Sequence, residues 1–463
     1  MKGMLVSGTA SGVGKTTVAL AIMAGLRRRG LVVQPFKCGP DFLDTSHHTR
    51  VCGRMARNLD TWMLSAEANR SVVRGAARGA DVIVAEGMMG LFDGKSGATE
   101  VGSSAEIAKL LRLPVVLVVD ASKSARSIAA VVLGFEMFDA ELRLAGVILN
   151  RVASERHYEL LREAIEASCK TKVMGWLPVE PAIAIPERHL GLHGAVELTA
   201  DCQRAASDAL ASLAERYFDL DGLLDWECGL EMSEIAPASD PNSKKCHGLR
   251  IGMASDAAFS FYYEDNLDML RDQGGEIVRF SPLNDASLPS GLDALYLGGG
   301  YPELYAERLS GNHVMLEEIR GFAASGRPVY AECGGMLYLS QSLSVAEKEY
   351  AMAGVLPLAM EMTDKLVQFG YAVVEFTEDC LLGRKGTVVR GHSFHYSRIV
   401  SKADVVKSYR VQYSLSGRED LEGFQQGNIL ASYIHLHFRA NPTVAENFVA
   451  AIRHARTLQT VTA

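Results

Sequence analysis

The chain has 463 residues, of which 48% are hydrophobic, 22% charged and 7% aromatic. This is the composition of a globular protein with enough apolar residues for more than one core, and it excludes the disordered and low-complexity classes. A formal net charge of −8 gives no electrostatic basis for non-specific binding to nucleic acid or to a membrane surface. We therefore expect small-molecule partners, with no nucleic acid and no membrane among them.

Cysteine usage and apolar runs bound the class of protein further. Eight cysteines are scattered without a CxxC pair, so the sequence spells out neither a zinc site nor a redox dithiol. The N-terminal apolar stretch is too short for a signal peptide, and no run approaches the roughly 18 apolar residues of a membrane helix. These features predict a cytoplasmic protein.

The first half of the chain alternates short β-branched runs with helical stretches, which predicts a parallel sheet covered by helices. The predicted strands are nearly continuous in apolar residues, as expected when both faces of a sheet are covered, and lie at 3–8, 31–36, 81–85, 114–119, 144–149 and 173–177. The predicted helices lie at 14–29, 103–111, 124–138, 155–168 and 199–217.

The segment GTASGVGKTT at 8–17 lies between the first predicted strand and the first predicted helix, which is the context of a phosphate-binding loop. Small residues let backbone N–H groups converge on phosphate oxygens, and the helix N-terminus adds positive potential. We expect Lys15 to reach the outer phosphates and the Thr16 hydroxyl to ligate Mg²⁺. The spacing departs from the usual pattern, because Thr9 stands where the first glycine would be. The predicted nucleotide-binding residues of this loop are Gly12, Val13, Gly14, Lys15, Thr16 and Thr17.

Polar residues at other predicted strand ends could complete this site. Glu86, Asp41 and Asp44 share the carboxyl edge of the predicted sheet, which favours a magnesium site, although carboxylates in loops also form turns and cap helices. Lys37 lies at the same edge and is expected to neutralise a transferring phosphoryl group, with a surface lysine as the alternative. Asn150 follows another strand and is expected to recognise the adenine ring, with strand-end capping as the alternative.

Residues 228–248 lose periodicity and collect Ser, Pro, Asp, Asn and Lys, which predicts a linker between domains at 1–227 and 249–463. The second domain is also predicted to be an α/β unit. It has a predicted helix at 263–273 and predicted strands at 249–254, 276–280, 293–297 and 328–331.

Cys333 is the candidate nucleophile, because it lies where the last of these strands gives way to a glycine pair and then a helix. A helix N-terminus stabilises a thiolate, and the Gly334 amide could donate to a developing oxyanion. Gly299, in a glycine run that follows another strand, offers a second backbone donor. A buried structural cysteine is the alternative interpretation.

A thiol nucleophile needs a general base, and three histidines are candidates. His435 and His437 follow a late apolar run, and His395 lies in the segment GHSFHYS. For each of them, a packed or substrate-facing histidine is the alternative.

With these residues in hand, the chain resembles the cobyrinate a,c-diamide synthases, glutamine-dependent ligases of corrinoid synthesis, over nearly its whole length. The motifs that carry the resemblance are GTASGVGKTT at 8–17, KCGPDFLD at 37–44, EGMMGLFDG at 86–94, RHLGL at 188–192, GGGYPE at 298–303, ECGGM at 332–336, GHSFHYS at 391–397 and SYIHLHF at 432–438.

The resemblance implies an α/β protein with two functional domains. The first, 1–227, would be a P-loop synthetase domain that is similar to dethiobiotin synthetase and binds ATP and Mg²⁺; the second, 249–463, would be a class I glutamine amidotransferase-like domain. It implies Cys333 as nucleophile and His435 as the histidine that activates it. The better known class I glutaminases carry a Glu two residues after that histidine, whereas this chain has His437, so the residue that orients His435 is left open.

The implied reaction amidates the a and c acetate groups of cobyrinate. ATP would convert each carboxylate to an acyl phosphate, and ammonia freed from glutamine would displace the phosphate. Asp93 and His395 are expected to contact the tetrapyrrole. The groups expected to spread the charge of phosphoryl transfer are Lys15, Lys37 and Mg²⁺ held by Thr16, Glu86 and Asp41 or Asp44.

Several alternatives stay open at this point. Synthases acting on hydrogenobyrinate, or on Ni-sirohydrochlorin in the coenzyme F430 route, resemble this chain in the same motifs. Cobyric acid synthase is less favoured, because the motifs at 37–44 and 86–94 resemble the a,c enzyme. A nucleotide-dependent switch or partition ATPase would not need an elbow cysteine, and a free-standing glutaminase would leave the phosphate loop unexplained. The oligomeric state is open, with a homodimer as one expectation.

Overall fold

The computed structural model describes residues 1–179, 187–188, 191–192, 200–229, 248–401 and 404–462. The chain divides into two compact units, Met1–Ala236 and Pro237–Ala463. The predicted linker 228–248 spans this division, and its residues 230–247 lie outside the described residues, as do positions 189–190 of the motif at 188–192. The domain bounds 1–227 and 249–463 therefore stay predictions.

Within the described residues, the N-terminal unit is built on a seven-stranded sheet in which all neighbouring strands are parallel. Its strands in chain order are β1 (Lys2–Gly8), β2 (Val33–Cys38), β3 (Arg57–Leu59), β4 (Val82–Glu86), β5 (Val115–Asp120), β6 (Leu144–Val152) and β7 (Lys172–Pro178). The order across the sheet is β3-β2-β4-β1-β5-β6-β7. A short antiparallel ribbon is formed by β8 (Glu187–Arg188) and β9 (Gly191–Leu192).

Helices cover both faces of this sheet. They are α1 (Lys15–Arg28), α2 (Leu43–Cys52), α3 (Ala66–Ala76), α4 (Ser104–Leu111), α5 (Ser127–Phe138), α6 (Glu155–Glu166), α7 (Ala200–Tyr217) and α8 (Leu220–Leu224). Every residue of β4 is buried, and two apolar clusters occupy the two sides of the sheet, as continuous apolar strands require. The predicted α/β fold class is confirmed.

The strand order places β1 at the centre, with β4 on one side and β5 on the other. Ligands of open parallel sheets bind where the strand order reverses, at the carboxyl ends of the strands. The loop that joins β1 to α1 lies at that point. The topology of the unit therefore puts the predicted phosphate loop where a nucleotide would be bound.

Three elements of this unit, α2, β3 and α3, are not predicted by the sequence patterns. Helix α2 lacks the apolar stripe by which a helix is predicted from sequence, since several of its buried positions are polar, such as His47 and His48. Strand β3 has only three residues. Helix α3 does carry a start signal, since the Ser65 side chain accepts a hydrogen bond from the Ala68 N–H at 3.1 Å.

The second unit is also α/β, but its sheet is mixed. Its strands in chain order are β10 (Leu249–Ala254), β11 (Gly275–Phe280), β12 (Ala294–Leu297), β13 (Val329–Glu332), β14 (Ser342–Val345), β15 (Lys348–Ala351), β16 (Ala359–Met362), β17 (Gln368–Phe376), β18 (Val388–His395), β19 (Ser397–Ile399), β20 (Val406–Tyr413), β21 (Glu419–Gln426), β22 (Ile429–Ser432) and β23 (His435–Leu436). Its helices are α9 (Glu264–Asp272), α10 (Ala306–Gly311), α11 (His313–Ala324), α12 (Gly334–Leu339) and α13 (Thr443–Thr462).

The described residues of this unit form a ten-stranded sheet in the order β11-β10-β12-β13-β22-β21-β20-β17-β18-β23. The run from β11 to β22 is parallel, and each later pair is antiparallel. A smaller four-stranded sheet has the order β15-β14-β16-β19. In the part of the chain that the structure describes, no helix is both long and apolar enough to cross a membrane.

Candidate active sites

The loop between β1 and α1 has the backbone of a phosphate-binding loop. Gly12 and Gly14 adopt φ values of +76° and +94°, in the left-handed region that favours glycine. A Cβ at Gly14 would lie 2.0 Å from Nδ2 of Asn150, so a side chain there would displace Asn150. The Asn150 amide donates to the Val13 carbonyl at 2.8 Å, which ties the loop to the end of β6. Its predicted contact with the adenine ring stays a prediction.

Lys15 begins α1 and folds back over the loop, where its Nζ donates to the Ala10 carbonyl at 2.9 Å. Burial and the nearby charge of Lys37 lower the pKa of Lys15. The lysine is thus buried within the loop, where phosphate oxygens could take the place of the Ala10 carbonyl as its acceptor.

Thr16, Lys37 and Glu86 meet at the same edge of the sheet. The Thr16 hydroxyl donates to Oε1 of Glu86 at 2.7 Å, and Nζ of Lys37 lies 2.9 Å from the same oxygen. Strands β2 and β4 are parallel neighbours in which Lys37 pairs with Glu86, so the register itself brings the two charges together. Lys37 also forms an ion pair with Asp44 at 2.6 Å.

His48 also belongs to this cluster, although it is not among the site residues predicted from the sequence. Its Nε2 lies 2.6 Å from Oε2 of Glu86, and both side chains are fully buried. Asp44 and His48 are four residues apart on α2 and therefore lie on one helix face. That spacing was the signal available, but it becomes visible only once the segment is known to be helical.

The pKa values in this cluster depend on the interactions between its charged groups as well as on burial. Burial raises the pKa of Glu86, but Lys37 and His48 outweigh it and hold the pKa of that carboxyl well below its usual range. Burial lowers the pKa of Lys37, yet Asp44 and Glu86 raise it above its usual range. Burial, together with Asp41 and Glu86, raises the pKa of Asp44. Glu86 is therefore an anion and Lys37 a cation at any physiological pH.

The donor set fits Mg²⁺ in part. Thr16 and Glu86 present two hard oxygens 2.7 Å apart, and magnesium in nucleotide sites takes few protein ligands beside the phosphates. Asp44 is bound to Lys37, while Asp41 accepts a hydrogen bond from the Asp44 N–H at 2.9 Å. No group of three or more His, Cys, Asp or Glu among the described residues is arranged to hold a metal ion.

Asp93 lies on the loop that follows β4. Its carboxylate accepts a hydrogen bond from the Gly90 N–H at 2.8 Å, which closes a turn in that loop. Its predicted contact with the tetrapyrrole stays a prediction.

In the second unit, Cys333 occupies a strained elbow between β13 and α12. Its φ of +47° and ψ of −105° are unfavourable for a residue with a Cβ, at a cost on the order of 1–3 kcal/mol. The Cys333 N–H donates to the Ser432 carbonyl at 2.7 Å, which anchors the elbow to β22. A Cβ at Gly335 would lie 2.2 Å from the Leu297 carbonyl oxygen, so close packing explains one glycine of the pair.

His435 reaches this elbow from β23, at the far edge of the mixed sheet. The histidine is buried, and the Cys333 side chain is close enough to act on its charge. Its Nδ1 faces Oε2 of Glu332 at 3.7 Å. Burial lowers the pKa of His435, but Cys333 and Glu332 outweigh it and raise the pKa to about 9. The structure therefore brings Cys333 and His435 together, and adds Glu332, to which the sequence analysis assigned no role.

The predicted oxyanion donors differ in their surroundings. The Gly299 N–H donates to the Phe261 carbonyl at 3.2 Å, and a Cβ at Gly299 would lie 2.4 Å from Cε1 of His435. Among the described residues, the amides of Gly300 and Gly334 have no acceptor, and a Cβ at Gly334 would lie 3.0 Å from the Gly300 nitrogen. Gly300 belongs to the same glycine run, and the sequence could not say which of its amides is available.

The other candidate histidines do not contact the thiol in the same way. The ring of His395 stacks on Tyr433 with centroids 3.7 Å apart, and its Nδ1 lies 2.9 Å from the Ser397 carbonyl. His437 packs against the ring of Tyr263, with centroids 4.5 Å apart. Burial lowers the pKa of His395 and of His437 to about 4, so both are neutral near pH 7.

Comparisons with known proteins match both units. Residues 4–192 match the family described as CobQ/CobB/MinD/ParA nucleotide binding domain, and residues 250–443 match the family described as CobB/CobQ-like glutamine amidotransferase domain. The chain is 42% identical over 448 residues to a cobyrinate a,c-diamide synthase of Listeria innocua, covering 96% of this chain and 98% of that protein. It is 43% identical over 455 residues to a protein of the same name from Salmonella typhimurium, covering 97% and 98%. The crystal structure of a glutamine amidotransferase is 19% identical, covering 44% of this chain and 98% of that chain with a TM-score of 0.33.

Proposed function

The chain belongs to the cobyrinate a,c-diamide synthase family of glutamine-dependent amidating ligases, and we propose that it amidates the a and c acetate groups of cobyrinate, with ATP as the activating substrate. The observation that carries the proposal is a buried Cys333–His435 pair on a strained elbow in a chain that also holds a phosphate loop. The first feature suits nitrogen release from glutamine, and the second suits activation of the acid that receives it.

The acid must be activated because a carboxylate cannot expel oxide when ammonia attacks it. In the proposed route a carboxylate oxygen forms a bond to the γ-phosphorus of ATP while the bond to ADP breaks. Ammonia then attacks the acyl carbon, and phosphate leaves. Lys15 and Lys37 are proposed to offset the charge of the phosphoryl group, and the buried carboxylates around Lys37 hold its ammonium group in place.

Thr16 and Glu86 are the residues that would hold Mg²⁺, with Asp41 or Asp44 as a proposed further ligand. The bound ion would supply positive charge at the phosphate oxygens. Glu86 is also paired with Lys37 and His48, and these contacts fix the orientation of the carboxylate. Asn150 is proposed to contact the adenine ring, and Asp93 and His395 are proposed to contact the tetrapyrrole.

In the proposed glutaminase reaction, the Cys333 thiol first gives its proton to His435, and the sulfur then attacks the side-chain amide carbon of glutamine. The oxyanion then collapses and the C–N bond breaks. His435 gives its proton to the departing nitrogen, so that ammonia is released and a thioester remains on Cys333. Water then attacks the thioester carbon and gives its proton to His435. The C–S bond breaks, and glutamate departs as the thiol is restored.

The developing oxyanion needs donors that no other acceptor occupies. The amides of Gly300 and Gly334 meet this requirement within the described part of the chain, whereas the amide of Gly299 donates to Phe261. We therefore propose Gly334 and Gly300 as the donors, with Gly299 providing room for the His435 ring.

The proposal is tested by assaying ADP and corrinoid amide with cobyrinate, ATP and either glutamine or ammonium as nitrogen source. The Cys333→Ser variant should lose glutamine-dependent amidation by at least about 10³-fold, because Ser is a far weaker nucleophile here, and should keep ammonia-dependent amidation. Cys380→Ser, at a half-buried cysteine of the same unit, serves as the control and should retain both activities.

Two results would contradict the proposal. One is glutamine-dependent amidation that survives in Cys333→Ser; the other is wild-type protein that forms no amide from cobyrinate with either nitrogen source. Parallel assays with hydrogenobyrinate and Ni-sirohydrochlorin decide the macrocycle. Turnover of Ni-sirohydrochlorin alone would replace cobyrinate in the proposal and leave the chemistry of the two units unchanged.

A further inference from the structure

If His435 is to accept the proton of Cys333, another group must hold its Nδ1 in place. A general base works only when its other ring nitrogen is held in one protonation state and one orientation. His437 stands two residues further on but packs against Tyr263, and neither of its ring nitrogens has a hydrogen-bond partner among the described residues. The orienting group must therefore come from elsewhere in the unit.

We propose that Glu332, the residue immediately before the nucleophile, is the positioning residue that orients His435. Its Oε2 faces Nδ1 of His435 at 3.7 Å, and the two side chains are only 1% and 3% exposed. A separation of 3.7 Å is longer than a formed hydrogen bond, and catalytic hydrogen bonds of this kind often tighten when substrate binds. This inference rests on the glutaminase half of the proposed function.

The fold explains why a residue beside the nucleophile can do this. Strands β13 and β22 are parallel neighbours in which Glu332 pairs with Ser432, and the chain then turns into β23, where His435 lies. The backbone at Cys333 leaves the extended conformation of β13, with φ of +47° and ψ of −105°. Glu332 and Cys333 can thus approach His435 from two sides although they are adjacent in sequence.

Glu332 is held in this position by donors other than His435. Tyr330 donates to Oε1 at 2.6 Å, Tyr296 donates to Oε2 at 3.0 Å, and the Leu436 N–H donates to Oε1 at 3.0 Å. Burial and the charge of Glu332 raise the pKa of both tyrosines well above the usual range, so they remain donors. Three donors satisfy a buried carboxylate that would otherwise be costly, and Leu436 is the residue next to His435.

Two other histidines lie near His435 in the described part of the chain, and neither offers a negative charge. His392 from β18 stacks on its ring with centroids 4.9 Å apart, and its Nδ1 is paired with the Tyr263 hydroxyl at 2.8 Å. Burial lowers the pKa of His392 well below its usual range and that of His395 to about 4, so both are neutral. Glu332 is therefore the charge that stabilises protonated His435 opposite the thiol.

The test compares Glu332→Gln, which keeps the shape and loses the charge, with Glu332→Asp, which keeps the charge. We expect Gln to lower kcat for glutamate release by about 10²–10⁴-fold with little change in KM. Because loss of the Glu332 charge lowers the pKa of His435, the acid limb of the pH profile should move to lower pH. Asp should retain more activity than Gln and a profile closer to wild type. Ammonia-dependent amidation should be unchanged in both variants.

The control is Glu422→Gln, since Glu422 is another buried, hydrogen-bonded glutamate of the same sheet. It should retain glutaminase activity within about threefold and an unshifted pH profile, because Glu422 faces Ser432 and Tyr433 instead of His435. Glutaminase rates near wild type in Glu332→Gln, or an unshifted pH profile, would overturn the proposal.

Two further results are informative. If Glu332→Gln does not fold, Glu332→Asp decides alone: reduced kcat at unchanged KM and unchanged ammonia-dependent activity supports the proposal, and wild-type kcat overturns it. If wild-type protein releases glutamate but does not amidate cobyrinate, the substrate part of the proposed function fails while the inference on Glu332 is still measured by glutamate release.

Discussion

Glu86 is the buried anion around which the polar side chains of the N-terminal unit are arranged. One carboxylate oxygen receives Thr16 and Lys37, and the other receives His48 at 2.6 Å. Removing one partner of a buried ionic cluster costs more than the pair contributes, because the remaining charge is left unsatisfied. A substitution that keeps the size of a side chain but removes its hydrogen bond to Glu86 should therefore lower the stability of the N-terminal unit.

We predict that His48→Leu destabilises the N-terminal unit, since it leaves Oε2 of Glu86 without its donor. The expected loss of unfolding free energy is about 1–3 kcal/mol, with ammonia-dependent amidation reduced and glutamate release unchanged. His48→Gln keeps an N–H donor and should lose less on both counts. Thermal unfolding and the two activity assays measure this; equal effects of Leu and Gln would show that the hydrogen bond to Glu86 is unimportant.

The sequence predicts which functional residues share a sheet edge when they directly follow parallel strands. It does not predict contacts between residues that only the tertiary fold brings together. Lys37 and Glu86 could be placed at one edge because their strands are apolar runs whose carboxyl ends share that edge. His48 could not, because its helix lacks an apolar stripe. Glu332 lies in a recognised motif, but its partner His435 is brought to it by the pairing of β13 with β22.

At the scale of elements, sequence patterns predict most of the parallel strands of the two larger sheets, with β3 and β22 as exceptions, and do not predict the antiparallel ones. The strands of the N-terminal sheet are buried on both faces and therefore read as apolar runs, as in β4. Strands such as β20 alternate buried and exposed positions and contain Lys407 and Arg410, so their composition resembles that of a surface loop. Pairing with β17 and β21 decides their conformation, and pairing is a long-range property.

Strand β21 carries a buried carboxylate that couples the stability of the second unit to pH. Glu422 accepts hydrogen bonds from the Ser432 hydroxyl at 2.9 Å and from the Tyr433 N–H. These bonds lower its pKa, but burial outweighs them and raises the pKa of Glu422 from 4.5 to about 7. The folded state thus holds a proton that the unfolded chain has already released between these two pH values. The contribution of Glu422 to stability is present below about pH 4.5 and is lost as the pH rises through 7.

We predict that Glu422→Gln removes this loss, because a neutral amide mimics the protonated carboxyl. At about 1.4 kcal/mol per pH unit the ionisation costs roughly 3 kcal/mol by pH 8. The Tm of the second unit should therefore be similar in wild type and variant at pH 5, and higher in the variant by about 5–10 °C at pH 8. A difference in Tm that does not change between pH 5 and pH 8 would mean that Glu422 is already ionised in the folded protein.

At the scale of the whole molecule, each unit has its own sheet and its own apolar clusters. Among the residues that the structure describes, the clusters of the N-terminal unit end at Cys228 and those of the second unit begin at Leu249. The chemistry divides in the same way, with the phosphate loop on one sheet and the elbow cysteine on the other. A substitution that disables one reaction should therefore leave the other measurable, which makes the two halves separable by point mutation.

We predict that Lys15→Ala abolishes acid activation and spares glutamine hydrolysis. Lys15 is the cation of the phosphate loop, and its loss should lower ADP formation and amidation by about 10²-fold or more with either glutamine or ammonium as donor. Glutamate release in the absence of acceptor should stay within about threefold of wild type, because Cys333, His435 and Glu332 lie in the other unit. Lys109→Ala is the control: Lys109 is a lysine of the same unit whose ion pairs with Glu100 and Asp139 lie outside the loop, so both activities should persist. Ammonia-dependent amidation that survives in Lys15→Ala would show that acid activation does not use this loop, and the assignment of the N-terminal unit would have to be abandoned while that of Cys333 remained.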